Sequence, residues 1–431
     1  MADVKPGRRV RWAPITLGVI AVLAIGVTGC VNALLPAVDM KFHGPPARPP
    51  VLGQFGDDPA VATAADWTNR RAPLLRAAFQ RELYGRVPPP SIPVVEARTP
   101  VITKAIGKNA DAEQWTVRVG PTSIFHMVIV TPKSAGPHPV IIMENFCGNR
   151  RAFPDKPESV AEPLTPVLSF CYNDLAQIPV TAILGHNING PPFEKIAARG
   201  YAVALFYAGD VVADEPGDPA PGLAAFAGDG PPGEHPGAIA VWAWLYSRAV
   251  DVLGADPRYD ATRIAVWGHS RNGKAALLAA ALDPRIAAVI SHQSGKGGAT
   301  LTRSYAGETV KQVTEAYPHW FGAGYAGWAG READIPIDQH QLLALIAPRP
   351  VYLGAGDRDR WSDPEGAFRA AQGADPVYEL LGSRGFDQSD MRTRNLSADV
   401  AFVLRPGPHG VTSGDWRDFL TFLDAHLKAR T

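Results

Sequence analysis

Arg263-Ile264-Ala265-Val266-Trp267-Gly268-His269-Ser270-Arg271-Asn272-Gly273-Lys274 reads as a strand, a tight turn and the start of a helix in direct succession. Ile264 to Trp267 is a short apolar run of the kind that fills a buried strand. Gly268 and Gly273 bracket the turn, and Lys274 to Leu282 is rich in Ala and Leu, both strong helix formers. The same alternation extends in both directions. Upstream lie strands at Val140–Met143 and Tyr201–Tyr207, with helices at Phe193–Arg199 and Ile239–Leu253. Downstream lie strands at Ile286–Ser291, Pro350–Leu353 and Val400–Leu404, then a closing helix from Asp415 to Leu427. Strands separated by helices at this spacing predict an α/β fold: a mostly parallel central sheet with helices on both faces, a three-layer sandwich. Before it, Trp115–Val119 and Phe125–Val130 alternate across a Gly-Pro turn and predict an antiparallel edge pair, and Asp66–Tyr84 has apolar residues at helical spacing.

The chain has 431 residues, 46% of them hydrophobic, enough for a large core. Lys plus Arg equals Asp plus Glu at 42 each, so no global field draws in nucleic acid or an acidic membrane, and a small molecule or neutral polymer is the expected partner. Residues 61–431 read as a single catalytic domain. Its Gly/Pro-rich connections at 144–190 and 208–236 are longer than the fold needs, as loops that build binding sites often are. Residues 1–30 read as an export segment: Arg8, Arg9 and Arg11 precede the uncharged stretch Ile15–Val27, which ends in Val27-Thr28-Gly29-Cys30. That ending resembles the lipobox of bacterial lipoproteins, which implies lipidation of Cys30 and a periplasmic or outer-membrane location, with membrane contact only through this anchor. Residues 31–60 read as a Pro/Gly-rich tether. Of the other cysteines, Cys147 and Cys171, the sequence leaves a disulfide and two free thiols equally open.

A strand–turn–helix of this kind pushes a serine hydroxyl out above a sheet, at a helix N-terminus that favours developing negative charge. Such a hydroxyl needs a base. His409, in the loop Arg405-Pro406-Gly407-Pro408-His409-Gly410 between the last strand and the last helix, stands where the fold supplies one. An acid to orient it should follow a late strand, and Leu353-Gly-Ala-Gly-Asp357-Arg-Asp359-Arg-Trp361 offers Asp357 and Asp359. The order serine, acid, histidine is that of the α/β-hydrolases. No metal-binding spacing is present, and neither a metal nor a cofactor is expected.

Ser270-Arg271-Asn272-Gly273-Lys274 is similar to the S-R-x-G-K of the bacterial glucuronoyl esterases, carbohydrate esterase family 15. Ser294-Gly-Lys-Gly-Gly298, Gly307-Glu308-Thr309-Val310, Pro318-His319-Trp320-Phe321 and Asp338-Gln339-His340 add to the likeness. The resemblance implies a serine esterase that cleaves 4-O-methyl-glucuronoyl esters between xylan and lignin alcohols through an acyl-enzyme. It implies Ser270, His409 and Asp359 as a triad, with Asp357 in reserve, and Arg271 as an oxyanion donor. It also implies Lys274 and Glu308 as partners of the sugar hydroxyls and Trp361 as an aromatic wall. Some members of that family carry the acid just after the strand that follows the nucleophile; here that stretch reads Ser291-His292-Gln293-Ser294, without a carboxylate. Two other readings remain: an acetyl-xylan or general carboxylesterase, and a non-catalytic carbohydrate-binding lipoprotein.

Overall fold

The computed structural model describes residues 48–167, 171, 185, 187–216, 222–304 and 306–428. The export segment and Cys30 lie outside the described residues. From residue 48 the stretch read as a tether is docked on the body: Arg71, fully buried, donates to the carbonyls of Val51, Gly53 and Pro59 and pairs with Asp58 at 2.7 Å.

Among the described residues nine strands form one sheet in the order β1-β2-β3-β5-β4-β6-β7-β8-β9. They are β1 (Val94–Pro100), β2 (Ala110–Val119), β3 (Ser123–Pro132), β4 (His138–Glu144), β5 (Ala202–Phe206), β6 (Tyr259–His269), β7 (Ala288–His292), β8 (Val351–Gly356) and β9 (Val400–Arg405). The pairs from β1 to β5 through β3 are antiparallel, and every pair from β5 to β9 is parallel. This is an α/β-hydrolase sheet. The predicted antiparallel pair is present as β2 and β3, but it is not the edge. β1 covers it, a strand whose residues are almost all exposed and which therefore carries no apolar run to read.

Side chains alternate across the sheet and separate the core into two layers. Ile264 and Val266 face one layer with Val140 and Ile142. Ala265 and Trp267 face the other with Ile141 and Met143. Trp267 packs on Trp416 and Phe419 of the closing helix, Ser413–Leu427, with ring centroids 5.6 and 6.3 Å away. That helix is capped by a reciprocal pair, Thr412 and Asp415. On the opposite face lie the helices Ala238–Gly254 and Arg271–Leu282. The parallel strands β4 to β9 all end on one rim, and the chain segments that leave them there carry the site.

Candidate active site

β6 ends at His269 and the helix begins at Arg271, so Ser270 alone makes the turn. It adopts φ 56° and ψ −125°, a conformation that costs an L-residue about 1–3 kcal/mol and persists only where its surroundings impose it. They do so here. The Ser270 N–H donates to the His292 carbonyl at 2.8 Å, and its own carbonyl accepts from Gly273 N at 2.9 Å. A side chain at Gly268 would put its Cβ 2.1 Å from the Asn272 carbonyl oxygen, so the strand and helix approach this closely only with glycine there. A Cβ at Gly273 would stand 3.1 Å from Ser291 Oγ and Ser294 Cβ, tighter than ordinary contact, so the first turn of the helix also lies close against the end of β7.

His409 lies in the loop after β9. Its Nδ1 is 2.7 Å from Asp359 Oδ2, and its side chain is 30% exposed while that of Asp359 is 1% exposed. Burial pushes the Asp359 carboxyl up, but the facing His409 and hydrogen bonds from His409 and Ser362 outweigh it, so the group sits below its ordinary range. Asp357, the reserve acid, has other work: its Oδ1 accepts from Gly407 N at 2.8 Å and fixes the start of the His409 loop. Of the two candidates the structure pairs Asp359 with the histidine. His269, the residue before Ser270, has its ring centroid 4.5 Å from that of His409, so elbow and histidine loop meet above the sheet. Burial drives the His269 imidazole far below its usual range.

Arg271 stands beside the serine. Its guanidinium pairs with Asp214, which also accepts from Trp320 Nε1 at 2.8 Å and lies 3.0 Å from His319 Nε2. It also lies 4.6 Å from the centre of the Trp320 ring and 5.2 Å from that of Tyr317. Burial alone would raise the Asp214 carboxyl, but the Arg271 charge and the hydrogen bonds bring it down to about 2. Lys274, one turn along the helix, is buried rather than exposed. Its ammonium donates to the carbonyls of Ser294 at 2.7 Å and Lys296 at 2.5 Å, two of the three donors it carries. Burial lowers it to about 8, against the opposing pull of Glu308. Glu308 is buried, which raises its carboxyl, while Lys274 and the Trp361 side chain counteract. Its backbone N–H donates to the Trp361 carbonyl at 3.0 Å, and Trp361 stays 52% exposed. The Ser270 elbow with Arg271 and Lys274, the His409 loop and the loop that carries Asp359 and Trp361 thus all lie at the end of the sheet where the parallel strands stop.

The fungal glucuronyl esterase family model matches residues 172–382. Carbohydrate esterase MZ0003, from an unknown prokaryotic organism, is 34% identical over 86% of this chain and 88% of its own length. The chain belongs to the glucuronoyl esterases, carbohydrate esterase family 15. A promiscuous family-15 esterase from a marine bacterial metagenome superposes with a TM-score of 0.78 at 33% identity, covering 90% of this chain and 99% of that one. The glucuronoyl esterase of Solibacter usitatus gives 0.74 at 31% identity, over 92% and 100%. Membership makes this protein a carboxylic ester hydrolase. In this glucuronoyl esterase several groups around Ser270 and His409 carry no signal in sequence: Asp214, a loop carboxylate next to Glu215; Ser362, whose hydroxyl is 3.2 Å from His409 Nδ1; and Arg405, which holds the His409 loop. Cys147 and Cys171 form a disulfide that ties the loop after β4 to a residue 24 positions on. Phe146, next to it, meets His269 edge-to-face at 6.0 Å, so the cross-link is one residue removed from the site.

Proposed function

We propose that this protein hydrolyses esters of 4-O-methyl-glucuronate with lignin-type alcohols on glucuronoxylan. The observation that carries the reading is the pairing of His409 with the buried Asp359 at 2.7 Å, beside the strained Ser270 elbow whose helix carries Arg271 and Lys274. Ser270 Oγ attacks the uronate carbonyl carbon and gives its proton to His409, whose Nδ1 is occupied by Asp359 so that Nε2 serves as the base. The tetrahedral oxyanion is held by the Arg271 guanidinium and N–H and by the loop after Met143; each such donor is worth about 3 kcal/mol. His409 returns the proton to the departing alcohol. A water molecule, deprotonated by the same histidine, then cleaves the acyl-enzyme, releasing the uronic acid and restoring the serine. Lys274 and Glu308 serve as donor and acceptor for the sugar hydroxyls, and the half-exposed Trp361 provides a flat apolar face for the ring.

Hydrolysis of the benzyl ester of 4-O-methyl-glucuronate, run beside acetylated xylan, tests the reading. The uronate ester is expected to turn over faster; faster release of acetate overturns it. We also propose that the protein is exported and anchored through Cys30. The basic, apolar and small-residue succession before that cysteine supports this, as does the Cys147–Cys171 disulfide, a bond of oxidising compartments. Cys30→Ala should move the protein from the membrane fraction to the soluble fraction; unchanged membrane retention rejects the anchor.

A further inference from the structure

Gln293 lies just beyond β7, in the stretch Ser291-His292-Gln293-Ser294 that holds no carboxylate. It is buried and holds φ 51°, a left-handed backbone conformation that a glutamine adopts at a cost. All its polar ends are engaged. Its N–H donates to the Gly354 carbonyl at 2.8 Å, and its carbonyl accepts from Ser362 Oγ at 3.2 Å. In the side chain, Oε1 accepts from Gly410 N at 2.7 Å and Nε2 donates to the Pro408 carbonyl at 3.2 Å. Those two backbone groups flank His409. The amide therefore pairs with the histidine's two peptide neighbours as an adjacent strand would.

We propose that Gln293 is a positioning residue for His409, a neutral side-chain clamp that fixes the backbone angles from which the imidazole reaches both Asp359 and Ser270. The inference rests on His409 acting as the base. A carboxylate at 293 could accept from Gly410 N but would present lone pairs to the Pro408 oxygen. Only an amide satisfies both, so the missing charge is itself the fitting chemistry. Arg405 Nη2 bonds the Pro408 and Gly410 carbonyls at 2.9 and 2.7 Å, and His292 Nε2 lies 3.0 Å from the Gly410 carbonyl. These contacts keep the loop folded when the amide is removed, but none of them engages the Gly410 N–H.

Gln293→Gly separates positioning from folding, because glycine accepts φ 51° without strain while the clamp is lost. A misplacement of about 1 Å at a reacting group costs up to about 100-fold, so kcat on the benzyl uronate ester should fall roughly 10- to 100-fold. KM should stay near wild type, the melt should remain cooperative although shifted to lower temperature by the unpaired Gly410 N–H, and the downfield proton resonance of the His409–Asp359 hydrogen bond should shift or broaden. Gln293→Asn, too short to span both partners, should behave alike if the glycine variant folds poorly. Wild-type kcat per folded molecule in both variants, a loss confined to KM, or a Gln293→Glu enzyme faster than wild type overturns the proposal. His409→Ala serves as the reference. Retained activity there refutes the base assignment, whereas an inactive His409→Ala with an unimpaired Gln293→Gly refutes the clamp alone.

Discussion

Asp359→Asn removes one charge and leaves the shape of the site unchanged. The carboxylate lies 2.7 Å from His409 Nδ1 with its side chain 1% exposed, so water cannot replace it. When His409 takes the serine proton it becomes a cation facing this anion. With charge centres roughly 4 Å apart and an effective dielectric near 20, the pair is worth about 4 kcal/mol in the transition state. At about 1.4 kcal/mol per tenfold, that is roughly a 1,000-fold loss of kcat. An asparagine that turns its NH2 toward Nδ1 also imposes the wrong tautomer, which pushes the loss toward 10,000-fold, as in other triads. The fold should survive, because the asparagine oxygen can still accept from Ser362 N, as Asp359 Oδ1 does at 3.2 Å. The assay is release of benzyl alcohol from the uronate ester, with Asp357→Asn in parallel, whose loss should stay within about tenfold because its partner is the Gly407 N–H and not the base. An Asp359→Asn enzyme within tenfold of wild type, or an Asp357→Asn enzyme that is the more impaired, would refute the reasoning.

Lys274→Met should raise KM for the uronate ester roughly 10- to 100-fold, the worth of a charged hydrogen bond, while turnover of a simple acetate ester changes little. Because burial lowers the Lys274 ammonium to about 8, the neutral amine takes over as pH rises through that value, so wild-type KM should climb above about pH 8 and the Met variant should show no such climb. Asp214 is held at about 2, below its unfolded value, so its contribution of about 2 kcal/mol is present above pH 4 and is lost as pH falls toward 2. Thermal melts of Asp214→Asn should be destabilised at neutral pH and flatter than wild type across that window; parallel curves would show that the Arg271 pair contributes no such stability.

Legibility in the sequence followed the range of the interactions. The elbow could be read because its strand, turn and helix are consecutive and each depends on local composition. His409 could be read from its place between the last strand and the last helix. β1 could not, since Val94–Pro100 exists through pairing with β2 and buries almost nothing. The helix Pro364–Leu380 was hidden by Pro376, Gly366 and Gly373, which break the local helical signal and are tolerated because its inner face packs on the sheet. The choice between Asp357 and Asp359 turned on a difference of two residues within one loop, settled by which carboxylate points at the imidazole and which at a backbone N–H. Asp214 and Gln293 act on partners 57 and 117 residues away, and no periodicity or spacing signals such contacts.

The most direct test is a rapid-quench mass measurement on the reaction with a uronate ester. The account predicts a glucuronoyl adduct on the peptide that carries Ser270, absent from Ser270→Ala, with turnover in that variant lower by roughly a million-fold. An adduct on another residue, or sustained turnover by Ser270→Ala, would contradict it.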